Sequence, residues 1–192
     1  MSVFKSKIFQ DNDLQGQDFI EEKFVACKFN GVDLSFTSFK KCIFKDCDFL
    51  GVNFKVTIFT ESKFPGSRLS NLDFGQALFK QCDFTKAVIK NSVFCKLKTA
   101  QSSEKVKLDL RKSKFTETDL SRSIFTQCDL RDVNFVGANL QQTAFDKCQL
   151  GKADLRKANI RGAVFKNSSI KQTLMNVDGF VQFGQTRGFE LV

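Results

Sequence analysis

The sequence predicts an all-β solenoid, a square coil that turns a corner every five residues, stacked about eight coils high and finished by a short cap. Three observations predict it. Apolar residues recur at every fifth position from Phe4 to Phe94 and again from Leu110 to Met175. From Cys27 onward the residue two before each of these centres is Ala, Ser, Thr, Cys or Val, with Leu72 and Leu108 as the large exceptions. The other three positions are polar or charged in most repeats.

A period of five matches neither the 3.6 of a helix nor the 2 of a strand. It fits a chain that points one large and one small side chain inward on each side of a square. Coils then stack at about 4.8 Å, the inter-strand spacing. Phe24, Phe44, Phe64 and Phe84 fall above Phe4 in one ladder, and Phe19, Phe39, Phe59 and Phe79 form another. Offset ring stacking adds to their burial. Of the 24 Phe, only Phe36, Phe180, Phe183 and Phe189 lie off the centres. A unit that cannot bury its own face requires neighbours, which is the logic of a solenoid. The early inward positions Ser2, Lys7, Asn12, Gln17 and Glu22 break the small-residue rule, so the first coil is expected to be irregular and to close the open end.

Six cysteines, Cys27, Cys42, Cys47, Cys82, Cys128 and Cys148, occupy the small inward position and alternate there with Ala, Ser, Thr and Val. They read as core residues, and the Cys42–Cys47 spacing is the repeat period rather than a ligand spacing. Cys95 stands outside this pattern. The chain has no His. That rules out Ser–His and Cys–His catalytic pairs and removes the commonest transition-metal ligand. With no Gly-rich phosphate loop either, neither an enzyme nor a metal or cofactor site is expected.

Net charge is +9 with a pI near 9.3, spread over both halves. A diffuse positive field favours acidic partners weakly. Nucleic-acid contact is possible if Lys40, Lys41, Arg111 and Lys112 share a face, but it is not favoured, because Trp, Tyr and a basic stripe are lacking. No apolar run reaches the roughly 20 residues of a membrane span. MSVFKSKIFQDNDL lacks the apolar core of a signal peptide. Core thiols suit a reducing compartment, so a cytoplasmic location is expected.

The register breaks between Phe94 and Leu110. Continuing in fives would bury Thr99 and Glu104, at a large desolvation cost. A loop over about residues 96–106 (KLKTAQSSEKV), extruded from one corner, lets Leu110 return above Phe79. Loops on rigid scaffolds carry function, so Lys98, Thr99, Gln101, Ser102, Ser103, Glu104 and Lys105 are candidate partner-binding residues. A column of Asp13, Asp33 and Asp73, with Asn53 between, is a second candidate, read chiefly as corner chemistry. The β-helix is assigned residues 1–175 and the tail 176–192. The tail keeps Phe180, Val181, Phe183, Phe189 and Leu191, enough apolar surface for a cap and a two-fold contact. A short helix or turn with a small strand is expected there.

The repeats GVDLS, GANLQ, KADLR and KANIR follow the pattern A(D/N)LXX, and the chain resembles the pentapeptide-repeat family over nearly its whole length. The resemblance implies a right-handed quadrilateral β-helix and a homodimer through the C-terminal element. Members of the Qnr type and the microcin-immunity type share this length, the extruded loop and a tail ending like GFELV. Resemblance to them implies binding to DNA gyrase or topoisomerase IV and protection against quinolones or toxins. Their surfaces are negative, like a DNA duplex. Here one face of the N-terminal half is net negative and none of the C-terminal half is. The leading expectation is therefore a non-catalytic protein-binding scaffold of unspecified partner, with loop-based topoisomerase protection as the alternative.

Overall fold

The computed structural model describes residues 2–95, 107–190 and 192. Among them, four sets of short parallel strands and bridges wind into a right-handed quadrilateral β-helix. One face holds β1 (Val3–Lys5), β3 (Lys23–Val25) and β5 (Ile43–Lys45). A second holds β2 (Asp18–Ile20), β4 (Ser38–Lys40), β6 (Ile58–Thr60) and β7 (Leu78–Lys80). A third carries β8 (Val93–Cys95), β10 (Ile124–Thr126), β12 (Ala144–Asp146) and β13 (Val164–Lys166). β9 (Leu108–Asp109) and β11 (Cys128–Asp129) form a separate pair. The remaining sides are single parallel bridges, such as Lys28↔Asp48↔Arg68↔Val88.

Pairing sets each centre over the centre one coil below, as Phe4↔Phe24↔Phe44 and Phe19↔Phe39↔Phe59↔Phe79. The rings follow the backbone. Phe24, Phe44, Phe64, Phe84 and Phe115 stack with centroids 4.8, 5.0, 4.9 and 4.9 Å apart and interplanar angles of 10° or less. Neighbouring ladders meet edge to face, as Phe44 does with Phe39 at 5.1 Å and Phe49 at 5.5 Å. Phe24, Phe44, Phe64 and Phe84 are fully buried.

The small inward position does more than save space. In most repeats that carry one, its hydroxyl or thiol donates to the carbonyl of a centre one coil below; Ser113, just above the break, finds no partner among the described residues. Ser67 Oγ donates to Phe44 O at 2.6 Å, Thr57 Oγ1 to Leu34 O at 2.8 Å, and Cys128 Sγ to Phe94 O at 3.1 Å. Cys42 and Cys47 make the same contact with Phe19 O and Phe24 O. Ser, Thr and Cys therefore recur because they fit and also satisfy a buried acceptor. Burial pushes the Cys47 and Cys82 thiols up to about 12, which keeps them protonated donors. The six inward cysteines are free thiols. Leu72 and Leu108 are buried all the same, Leu72 between the centres Leu69 and Phe74 and Leu108 just before Leu110.

Corners are made by the residue two after the centre, which sits in the left-handed region in nearly every repeat. Glycines take this place at Gly31 and Gly51, but so do Glu61, Lys86, Arg122, Phe36 (φ 60) and Val56 (φ 55). A β-branched residue there is strained. The preceding Asp or Asn supports the corner by accepting the N–H two residues on, as Asp33 does from Ser35 at 2.9 Å and Asp73 from Gly75 at 2.8 Å.

At the lower end, Lys7 Nζ lies over the Phe9 ring at 4.7 Å, and Gln17 Nε2 donates to Asp13 O at 2.8 Å. The irregular inward residues thus cover the first rings. At the upper end, α1 (Val177–Thr186) lies across the last coil. Phe183 meets Phe165 edge to face at 5.7 Å. Gln182 Oε1 accepts Ile160 N–H at 2.8 Å, Asn176 Oδ1 accepts Lys157 N–H at 3.2 Å, and Arg187 donates to Phe165 O at 3.4 Å. These side chains supply what a further coil would have supplied. The small strand expected in the tail is not found among its described residues; the helix meets the edge with side chains instead.

Phe44→Ala is expected to cost about 3–5 kcal/mol in denaturant melts, because it removes one ring from the middle of a rigid stack. Cys128→Ser, which keeps the donor to Phe94 O, is expected to cost clearly less. The reverse order would refute the assignment of the ladders. Val56→Asn relieves an unfavourable backbone conformation at an exposed corner and is expected to gain about 1 kcal/mol; a loss would show that the corner is not strained.

Candidate functional site

The insertion interrupts the solenoid at one place. Stacked positions are 20 residues apart elsewhere and 31 apart across the break. On three faces the ladder absorbs this jump: Phe94 pairs with Phe125, Asp83 with Lys114 and Val88 with Asp119. On the fourth it does not. The sheet of β2, β4, β6 and β7 ends at β7, and β9 pairs only with β11 above it among the described residues. One and two coils lower, Glu61 and Lys41 donate their corner N–H groups upward to Lys80 O and Thr60 O at 2.8 Å. Among the described residues, the equivalent N–H of Gln81 and that of Phe79 find no acceptor. Leu110 thus resumes the coil after the break, but the described backbone leaves the seam beneath it open, where a continuous coil was expected.

A cleft of about 530 Å³ occupies this seam. Its floor is apolar: Phe79, with the partly exposed Ile58 and Leu78. Its rim is cationic. Lys80, Lys107 and Lys112 line it and form no ion pair among the described residues. Arg111 and Arg131 are spoken for. Each forks onto the Asp two residues before it, Arg111 to Asp109 at 2.9 and 2.7 Å and Arg131 to Asp129 at 2.8 and 2.6 Å. The hydrogen bond from Arg111 holds the Asp109 carboxyl below the usual carboxylate range. Asp129 is 7% exposed and also faces Arg111 at 3.7 Å. The Asp-Leu-Arg repeats thus build rigid neutral walls, while the lysines stand ready to meet an anion.

Of the residues singled out from sequence, Lys40, Lys41, Arg111 and Lys112 do share this face, on and beside β4 and β9. Lys41 is paired with Glu21 at 3.8 Å. Asp13, Asp33 and Asp73 stand on the face that includes β8, and their carboxylates serve the fold. Asp13 accepts from Gln10 N, Asp33 from Ser35, Gln15 and Asn53, and Asp73 from Gly75 N. Lys98, Thr99, Gln101, Ser102, Ser103, Glu104, Lys105 and Leu191 lie outside the described residues. In the tail, Phe180 and Phe189 are exposed and Val181 and Phe183 half-buried. With Val177 and Ile170, Phe180 borders an apolar hollow of about 400 Å³. Burial pushes the Cys95 thiol up rather than activating it. Lys80, Leu78 and Lys107 had not been singled out, and only the register jump could have pointed to them.

Among the described residues, no helix is long and apolar enough to cross a membrane, and no group of three or more His, Cys, Asp or Glu could hold a metal ion.

Comparison with known proteins agrees with this architecture. Family profiles match as "Pentapeptide repeat region" over residues 37–108 and 103–174 and as "Pentapeptide repeats (8 copies)" over residues 8–46. No curated protein matches the sequence significantly. Among solved structures, a trypsin-treated form of QnrB1, a plasmid-mediated fluoroquinolone resistance protein, superposes with a TM-score of 0.74 at 17% identity, covering 99% of this chain and 98% of that one. Full-length QnrB1 gives 0.62 at 18% identity, covering 98% of each chain. Rfr23, a pentapeptide-repeat protein from the cyanobacterium Cyanothece 51142, gives 0.54 at 18% identity over 63% of this chain and 88% of its own.

Proposed function

This chain belongs to the pentapeptide-repeat family, and from that premise we propose that it is a non-catalytic β-helical rod that binds a protein partner at the break in its ladder. The observation that carries the reading is local. The inward side chains are consumed by the core and the Asp13, Asp33 and Asp73 carboxylates accept backbone N–H groups, whereas the seam between β7 and β9 leaves two backbone donors without acceptors among the described residues, beside a cleft lined by lysines. A partner contact there uses surface that the fold does not need. In the chain, residues 96–106 come directly before Lys107 and β9, one border of this seam, so they are the first candidates for recognition.

A second reading is favoured by the end-to-end superposition on a fluoroquinolone resistance protein: protection of DNA gyrase or topoisomerase IV from quinolones. At this level of identity the likeness establishes the fold alone, so the reading stands as a proposal. The positive charge of the rod argues against imitation of duplex DNA, whose contacts on a basic groove require negative charge. Protection would then work through the insertion. The test is gyrase supercoiling with ciprofloxacin, with the intact chain and with residues 98–105 deleted. Loop-dependent rescue supports topoisomerase protection. Rescue that survives the deletion moves recognition to a rod face. No rescue by either version leaves a scaffold for another partner.

The exposed Val177, Phe180 and Phe189 on and after α1 fit a two-fold contact between copies of the chain. Phe180→Asp is expected to convert a dimer to a monomer in light scattering without changing the β-sheet signal, because Phe180 is exposed and the ring contact of α1 with the core comes from Phe183. A dimer that persists in this variant would place the contact elsewhere.

A further inference from the structure

We propose that the cleft between β7 and β9 binds a small organic phosphate of nucleotide size. This inference concerns the same seam as the partner reading above but names a small-molecule occupant, and the titration below uses the chain without any partner, so either reading can fail while the other stands. The cleft brings three features together at one opening. Two backbone N–H groups, of Phe79 and Gln81, lack acceptors among the described residues, where the lower coils of that face are paired with the coil above; an unpaired donor at a sheet opening is an anion site in the making. Three ammonium groups, from Lys80, Lys107 and Lys112, stand around the same opening without carboxylate partners among the described residues. Beside them lies an apolar shelf formed by Ile58 and Leu78, which are 37% and 40% exposed. The cavity, about 530 Å³, is within the size range of small-ligand sites and far larger than one phosphate needs.

These features select among anions. Flexible lysines act as point charges and suit a multiply charged phosphate better than a single planar carboxylate, which an arginine fork grips. The two arginines present are already forked onto Asp109 and Asp129 and shape the wall. The shelf suits the flat apolar face of a base, and the carboxylate of Asp132, at the rim, suits a sugar hydroxyl. A long nucleic acid is disfavoured, because the Arg–Asp forks on this face neutralise the positions above the cleft.

The test is calorimetric titration of the full chain with ATP, AMP and inorganic pyrophosphate, in the wild type and three variants. The expected result is that ATP binds more tightly than AMP or pyrophosphate. Lys80→Ala/Lys112→Ala is expected to weaken ATP about tenfold or more, whereas Leu78→Ser weakens ATP and leaves pyrophosphate unchanged. The control Lys23→Ala/Lys63→Ala, on another face, is expected to bind as the wild type. All changed side chains are at least partly exposed and circular dichroism checks that the fold is kept. The proposal is overturned if ATP does not bind at millimolar concentration, or if the control pair loses as much as the cleft pair. It is equally overturned if an acidic peptide or an oligonucleotide competes ATP off at lower concentration than AMP does.

Discussion

Successive coils are held about 4.8 Å apart by a parallel hydrogen-bond ladder, and the core, the corners and the ends all adjust to that distance. The phenylalanine stacks run at 4.8–5.0 Å through the middle of the rod because the backbone sets their separation. At that spacing flat rings stack in contact, and the aliphatic centres such as Leu69 and Ile89 continue the columns where Phe is absent. The same spacing brings the hydroxyl or thiol of the small inward residue within reach of a carbonyl in the coil below. An interior built almost wholly of apolar side chains therefore contains a file of polar groups held by partners, except at Ser113 beside the break.

The ladder also carries the corners. Left-handed backbone at Phe36, Val56 or Arg122 costs of order 1 kcal/mol each in isolation. It persists because the corner N–H donates to a carbonyl of the coil above, as Lys41 does to Thr60 and Gln142 to Arg161. Where the upper coil is displaced, this support fails. The seam above β7 is such a place, and among the described residues it gathers unpaired donors, an apolar shelf and unmatched lysines. At the top, the edge is met by α1, where Gln182, Asn176 and Arg187 stand in for backbone partners. Structure and candidate function thus meet where the ladder is interrupted, and the cap shows what closing such an edge requires.

Much of the architecture was legible in the sequence, because a five-residue period with one large and one small inward residue has few physical solutions. The register of Phe24, Phe44, Phe64 and Phe84, the burial of Cys42, Cys47 and Cys128 and the existence of a terminal cap all followed from it. The Asp13–Asp33–Asp73 column was legible as a position, but whether its carboxylates were uncommitted or engaged by corner N–H groups was not. The hydrogen bonds of the small residues were hidden behind their size. The cleft was not legible, because Lys80 and Lys107 are separated by the insertion and nothing local marks either as part of a site.

The sequence by itself determined the solenoid, its pitch and its four inward columns, since local side-chain alternation dictates which atoms leave water. Tertiary structure alone decided where the ladder closes and where it parts. Three faces absorb the jump from 20 to 31 residues between stacked positions and one, among the described residues, does not. That outcome depends on how displaced coils settle on one another in space, a property of the whole stack that no single repeat encodes.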